Sequence, residues 1–306
     1  PGEIPEFPER SFDIHGFKAL PFLLDSAMKN WEEAAANRLN HVNPYTGLAW
    51  KDDPALVSIC LLNEDTLYAV WNRDPDVQKL CLDRFAGWVK ENRIEFSESD
   101  RPRLMKRFLS ELHAAGYARM SAFLRRLGVK ALLTDQNYWN NVSLALNRSE
   151  YDLVDTHFYW GHPEFHGKDW SLPATVANDC AVNRLGGALA AAFGTRLFGA
   201  PFTVTEWDFV TPGAYTAEGA FLTGAYAALQ QWGGLCRFTY THDPARIRSA
   251  EHRLHLFDTA GDPLRSLSER AGALFFLRGD VRPAAVSFPV LVSTDYLKRP
   301  GNPEYH

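Results

Sequence analysis

The chain has 306 residues, 46% of them hydrophobic and 23% charged, and a net charge of −5. This is a globular composition, not a disordered one, and its slight acidity offers no basic field for nucleic acid. No apolar run approaches the roughly 18–20 residues that span a bilayer, so a membrane is not an expected partner either.

The chain begins Pro1-Gly2-Glu3, with neither Met nor the apolar core of a signal peptide. A processed or truncated chain is therefore expected. Residues 1–23 are proline-bearing and read as an irregular arm. From Asp25 to Asn40, Ala27, Met28, Trp31, Ala35 and Leu39 recur at helical spacing. Pro44, Gly47 and Pro54 break the chain, and Ala55 to Leu62 is a buried strand ending in Asn63-Glu64-Asp65. Asp74-Pro75 is an N-cap followed by proline at the first helical position. A second helix runs from about Pro102 to Leu127 and stops at Gly128.

Val129 to Thr134 is the next strand, ending in Asp135-Gln136-Asn137, and Tyr151 to Tyr159 the third. A loop from Trp160 to Ala177 carries His162, His166 and Trp170. Ala181 to Leu197 reads as a small-residue helix, and Pro201 to Thr205 as a strand ending in Glu206-Trp207. Ala217 to Gln231 is helical, Leu235 to Thr241 a fifth strand, Leu264 to Leu277 a helix and Ala285 to Ser293 a last β-like run. Alternating strands and helices predict a parallel sheet, with its site at the C-terminal strand ends. No glycine-rich phosphate loop follows a strand.

Two strands thus end in a glutamate, Glu64 and Glu206. A carboxylate directly after a buried strand is costly unless it faces a polar site. Two of them suggest an acid/base paired with a nucleophile. Trp31 and Trp88 sit on apolar helical faces and belong to the core. Asp135 is read as facing the cleft. Asn141 and Asn147 open glycosylation-type triplets, read as chance. His157, His162 and His166 lie close in sequence, but their spacing is too irregular for zinc. No metal and no cofactor are expected, and the four scattered cysteines lack metal-ligand spacing.

Asn63-Glu64 after one strand, and Glu206 three strands later, resemble clan A of the glycoside hydrolases. That clan consists of (β/α)8 barrels that cleave β-glycosides with retention. His157-Phe158-Tyr159 is similar to the His-x-Tyr of family five cellulases and mannanases, whose Tyr hydroxyl bonds the nucleophile. Asn43-Pro44-Tyr45-Thr46-Gly47, Asp53-Pro54, Tyr159-Trp160, Thr205-Glu206-Trp207 and Gln231-Trp232 resemble bacterial cellulase-like members.

The resemblance covers about residues 20–285 and implies Glu64 as acid/base and Glu206 as nucleophile, supported by Asn63, His157 and Tyr159. Trp160, Trp207, Asn137, Tyr240 and His242 are its expected substrate-binding residues. The chemistry requires one carboxyl held protonated and the other ionised.

The expected fold is a TIM-type barrel that is incomplete, with strands 4–8 present and strands 1–3 missing, since about 55 residues cannot supply three βα units before Glu64. The expected domains are the arm 1–23, a barrel over 24–282 and a tail 283–306 that begins an accessory β segment. A partner chain or an upstream segment would supply the absent strands. The expected activity is endo-type hydrolysis of a β-linked glucan or mannan. The alternatives are an exo-acting β-mannosidase or β-galactosidase and a carbohydrate-binding pseudoenzyme or inactive fragment. The sequence leaves the location open, and a bacterial secreted or periplasmic one is compatible with the resemblance.

Overall fold

The computed structural model describes residues 4–139, 142–184, 188–248 and 255–293. They divide into two units, residues 4–154 with 292–293, and residues 155–291. Asn141 and the tail from residue 294 lie outside the described residues.

In the first unit, helices α1 (Ile14–Leu23) and α2 (Asp25–Leu39) precede strand β1 (Ser58–Cys60), the short α3 (Leu67–Val70), α4 (Pro75–Glu91), α5 (Arg101–Leu127), strand β2 (Leu132–Thr134) and the short α6 (Ala145–Arg148). The capping chemistry is as the sequence predicts. The Asp74 carboxylate accepts from the backbone N–H of Asp76 and Val77, with Pro75 opening α4. Gly128 closes α5 in the left-handed conformation, φ 98°. The α5 stripe of Leu104, Met105, Phe108, Leu109, Met120 and Leu124 is buried in one core with Leu20, Leu23 and Phe85. Trp31 and Trp88 pack against that core, and the Trp31 indole donates to the Leu61 carbonyl at 3.1 Å. β1 and β2 pair in parallel, Ser58 against Leu132, Ile59 against Leu133 and Cys60 against Thr134.

The expected arm is corrected by α1. Asp13 caps it by accepting from Gly16 N at 2.8 Å, and its residues from Lys18 to Leu23 are all buried. Their near-continuous apolar character removes the 3.6-residue contrast by which a surface helix is read. Pro21 inside the helix adds a breaker signal.

The second unit holds β3 (Val154–Trp160), β4 (Glu164–Phe165), β5 (Ala174–Thr175), α7 (Ala188–Thr195), β6 (Phe202–Phe209), α8 (Glu218–Leu229), β7 (Gly234–Arg237), the short α9 (Pro244–Arg248) and α10 (Pro263–Ala273). Its sheet has the order β3-β6-β7, with β6 and β7 parallel, while β4 and β5 form a small antiparallel pair. Where a small-residue helix was expected from Ala181, the structure places Ala181–Arg184 in turns and bends and α7 only from Ala188; residues 185–187 lie outside the described residues. Ala285–Ser293 forms no strand: it has no β partner among the described residues and leaves Phe288 88% exposed.

The chain is therefore mixed α/β with parallel sheets. The five expected strands are present in chain order, but the described residues place them in separate sheets and do not close a barrel. No helix of the described residues is long and apolar enough to cross a membrane, and all four cysteines are free.

Helices α8 and α10 meet through glycines. A Cβ on Gly224 would lie 2.5 Å from the Gly272 carbonyl oxygen, and one on Gly272 would lie 2.5 Å from that of Ala220. Backbone cannot yield as a flexible side chain can, so Gly224→Ala is expected to lower stability by about 1–3 kcal/mol. Gly87, exposed in α4 with nothing near its Cβ position, is the contrast. Gly87→Ala is expected to raise stability by about 0.5–1 kcal/mol. Denaturant unfolding of both variants beside the wild type measures the difference.

Candidate active site

On β3, Asp155, His157 and Tyr159 alternate in sequence and so project from one face of the strand. All three bond to β6. The buried Asp155 carboxylate accepts from Thr203 Oγ1 at 2.9 Å and Thr205 N at 3.1 Å, and from the Thr205 hydroxyl. His157 Nε2 lies 3.1 Å from Thr205 Oγ1, and its Nδ1 lies 3.5 Å from Glu206 Oε2. Tyr159 Oη donates to Glu206 Oε2 at 2.6 Å. The register of β6 on β7 is irregular between Val204 and Trp207, which falls on Thr205-Glu206. A bulge re-aims a side chain, and Glu206 is left half-buried while Val204 and Trp207 are enclosed.

Two residues beyond Glu206, Asp208 is fully buried and accepts from Arg265 Nη2 through both oxygens, at 2.6 and 2.7 Å, and from Arg237. Burial pushes Asp208 up to about 6 against the pull of Arg237 and Arg265. Arg237 also pairs with Glu269 and lies over the Trp207 ring, 4.5 Å from its centroid.

This enclosure corrects one expectation of sugar stacking, that of Trp207, whereas Trp160 stays half-buried. Trp207 is 3% exposed, because strand alternation turns it away from Glu206, and Arg237 occupies its face. Trp160 donates its indole N–H to the Asp179 carbonyl at 2.8 Å and stacks on Phe209. Tyr240 is exposed. His242 Nδ1 lies 2.5 Å from Asp258 Oδ1. Burial works to raise Asp258, but hydrogen bonds from the His242 ring and backbone hold it below the ordinary carboxylate range. His162 meets the edge of Trp170 and His166 bonds Thr175, so these two histidines take partners of their own. The Phe238–Thr239 peptide bond is cis.

In the first unit, β1 runs out into Asn63-Glu64. Glu64 adopts the left-handed backbone, φ 54°, as does Gln136 after β2, φ 50°. Asn137 Oδ1 accepts from Glu64 N at 2.9 Å, and Asn137 Nδ2 reaches Asn63 Oδ1 at 3.4 Å. Lys18, buried on α1, brings its ammonium to 3.9 Å from Glu64 Oε2. Asn137, expected at the substrate, is 1% exposed and braces the Glu64 backbone instead. Asp135, expected to face the cleft, is fully buried. It forms a cluster with Asp65 and His113: His113 Nε2 lies 3.0 Å from Asp65 Oδ2 and 3.4 Å from Asp135 Oδ2. Asn147, in a glycosylation-type triplet, is also buried, and its amide donates to the Ser110 carbonyl.

No protein-family model and no curated protein matches the chain. Among solved structures, the endo-β-1,4-mannanase from Thermotoga petrophila is similar with a TM-score of 0.50 at 13% identity, over 86% of this chain. The chain spans about half of that mannanase, 53% of its length. The likeness is one of fold. The described residues of this chain do not themselves close a barrel.

Sequence reasoning gave no role to Lys18, Asp155 or His113. Asp155 carries a readable signal, because it precedes His157 and Tyr159 by the strand period of two. His113 carries a weaker one, a titratable residue on the apolar stripe of α5.

The buried cluster has a thermodynamic signature. Burial opposes charge on His113, yet the Asp65 and Asp135 carboxylates outweigh it and raise the imidazole from 6.5 to about 9. Burial and the Asp65 charge raise Asp135 to about 7. Both groups bind a proton more tightly folded than unfolded, so both contributions fade as pH rises. The His113 contribution is complete below about pH 6.5 and lost through pH 9. Unfolding free energy is expected to fall on the order of 3 kcal/mol across that interval. His113→Gln should flatten the dependence, as read by urea unfolding at stepped pH.

Proposed function

We propose that the chain is a retaining β-glycoside hydrolase of endo type, acting by double displacement on a β-linked glucan or mannan, with Glu206 as nucleophile and Glu64 as acid/base. The observation that carries this reading is the Tyr159 hydroxyl at 2.6 Å from Glu206 Oε2, with His157 Nδ1 at 3.5 Å from the same oxygen. A hydrogen bond to a carboxylate oxygen fixes its orientation, and attack on an anomeric carbon needs a carboxylate held in line with it. The partial exposure of Glu206, beside the enclosed Val204, Trp207 and Asp208 of β6, gives the carboxylate access to a substrate. The fold likeness to a mannanase supports the substrate class.

In this reading Glu206 attacks the anomeric carbon while Glu64 protonates the leaving oxygen. The glycosyl-enzyme then yields to water deprotonated by Glu64, and two inversions give net retention. Tyr159 holds Glu206 in line, and Asn63 bonds the sugar 2-hydroxyl. Tyr240 and His242, both accessible, line the outer subsite.

The test is hydrolysis of aryl β-mannosides, aryl β-glucosides, mannans and β-glucans. Glu206→Ala is expected to lower turnover by about a thousandfold or more, and azide should restore it as a glycosyl azide of inverted configuration. Tyr159→Phe is expected to lose about 10–100-fold, the effect of one hydrogen bond to a charged group. Full turnover by Glu206→Ala, or an inverted wild-type product, would overturn the reading.

A further inference from the structure

The parallel ladder of β1 and β2 does not stop where their backbones part. Its last backbone rung is Leu61 N to Thr134 O, at 3.0 Å. Beyond it, side chains take over. Asp135 Oδ1 accepts from Leu62 N at 3.1 Å, Asp65 Oδ1 accepts from Gln136 N at 3.1 Å, and Asn137 Oδ1 accepts from Glu64 N at 2.9 Å. The carboxylates are crossed: each holds the backbone that continues the other strand. Each brings its second oxygen to the same atom, His113 Nε2, Asp65 by a hydrogen bond at 3.0 Å and Asp135 as an ion-pair contact at 3.4 Å.

We propose that His113 is a positioning residue for Glu64, its imidazole N–H clamping Asp65 and Asp135 so that their crossed rungs set the backbone turn from which the Glu64 carboxyl projects.

The physics needs such a clamp. Asp65, His113 and Asp135 are each 0% exposed. Two carboxylates facing each other without water repel strongly, and one must take up a proton or turn away. Turning away releases the backbone amide of Leu62 or Gln136, and protonation leaves that amide the weaker acceptor of a neutral carboxyl. Glu64 and Gln136, between the rungs, are non-glycine residues in the left-handed region, a conformation that persists only where its surroundings over-determine it. The clamp is itself fixed. Phe22 of α1 stacks on the His113 ring, centroids 4.7 Å apart. Gly116, one turn along α5, admits that ring, since a Cβ there would lie 2.3 Å from Phe22. On the far side Asn147 Nδ2 lies 3.5 Å from His113 Nδ1. The remaining titratable or charged groups facing the cluster are Tyr117, on α5 itself, the Tyr151 hydroxyl, bonded to Gln136 Oε1, and the buried Arg148, bonded to the Gln136 and Trp139 carbonyls.

The proposal rests on Glu64 as the acid/base, and its test separates the two ideas. His113→Gln and Asp135→Asn are compared with the wild type by amide hydrogen exchange and by hydrolysis of aryl β-glycosides with good (dinitrophenyl) and poor (phenyl) leaving groups. Exchange at Leu62, Glu64 and Gln136 should quicken at least tenfold in His113→Gln, while β6 amides keep their protection. The kcat/KM for the phenyl glycoside, whose glycosylation step needs the acid, should fall about tenfold or more. The kcat/KM for the dinitrophenyl glycoside, whose glycosylation step does not, should stay within about twofold. Asp135→Asn, which removes one charge and keeps the rung to Leu62, should fold and give the same pattern more mildly. Unchanged exchange at those three amides, or an equal loss with both leaving groups, would overturn the positioning role. If Glu64→Ala itself showed no leaving-group dependence, the acid/base reading would fall instead, and the exchange result would still decide whether His113 holds the turn.

Discussion

A carboxylate buried at the end of a strand must be partnered before that strand can pack, and both units of this chain are organised around that demand. In the first, Asp65 and Asp135 share His113 and bond each other's backbone. In the second, Asp155 is taken up by two threonines of β6, and Asp208 by Arg265 and Arg237. The partnering also sorts the acids. Asp65, Asp135, Asp155 and Asp208 are enclosed, whereas Glu64 and Glu206 keep part of their carboxylates open. Their longer side chains reach past the layer the aspartates hold fixed.

Some of this was legible in the residues alone. Apolar runs of strand length, each ending in polar residues, locate β1, β2, β3, β6 and β7. Asp74-Pro75 and Gly128 mark real helix ends, because local capping chemistry decides them. Other features depend on packing that no local pattern records. Helix α1 is hidden by uniform burial and Pro21. The run at Ala285–Ser293 has strand-like residues but no partner strand among the described residues, and β propensity alone does not make a strand. Asn137 and Trp207 are of the right type and near the right strand ends to touch a sugar. A hydrogen bond to the Glu64 backbone claims one, and strand alternation turns the other inward. His113 is distant in sequence from the turn it braces, so only the folded chain brings it there.

The likeness to the Thermotoga mannanase and the β3–β6 ladder bear on different questions. At 13% identity the first speaks to architecture. The second speaks to chemistry, because Asp155, His157 and Tyr159 form a graded series along one strand face. Asp155 is held by threonines, His157 bridges threonine and glutamate, and Tyr159 bonds the glutamate. Accessibility rises toward the strand end, as a parallel α/β site requires.

The backbone at Glu64 has an evolutionary corollary. At φ 54° only glycine is free of the Cβ penalty, about 1–2 kcal/mol for other residues. Glycine there would relieve the strain and delete the carboxylate in one step. Selection for thermal robustness alone would drift this position toward glycine. Keeping glutamate requires a countervailing benefit, so a lineage freed from that benefit should show its first losses here, with the folded chain made sturdier by the change.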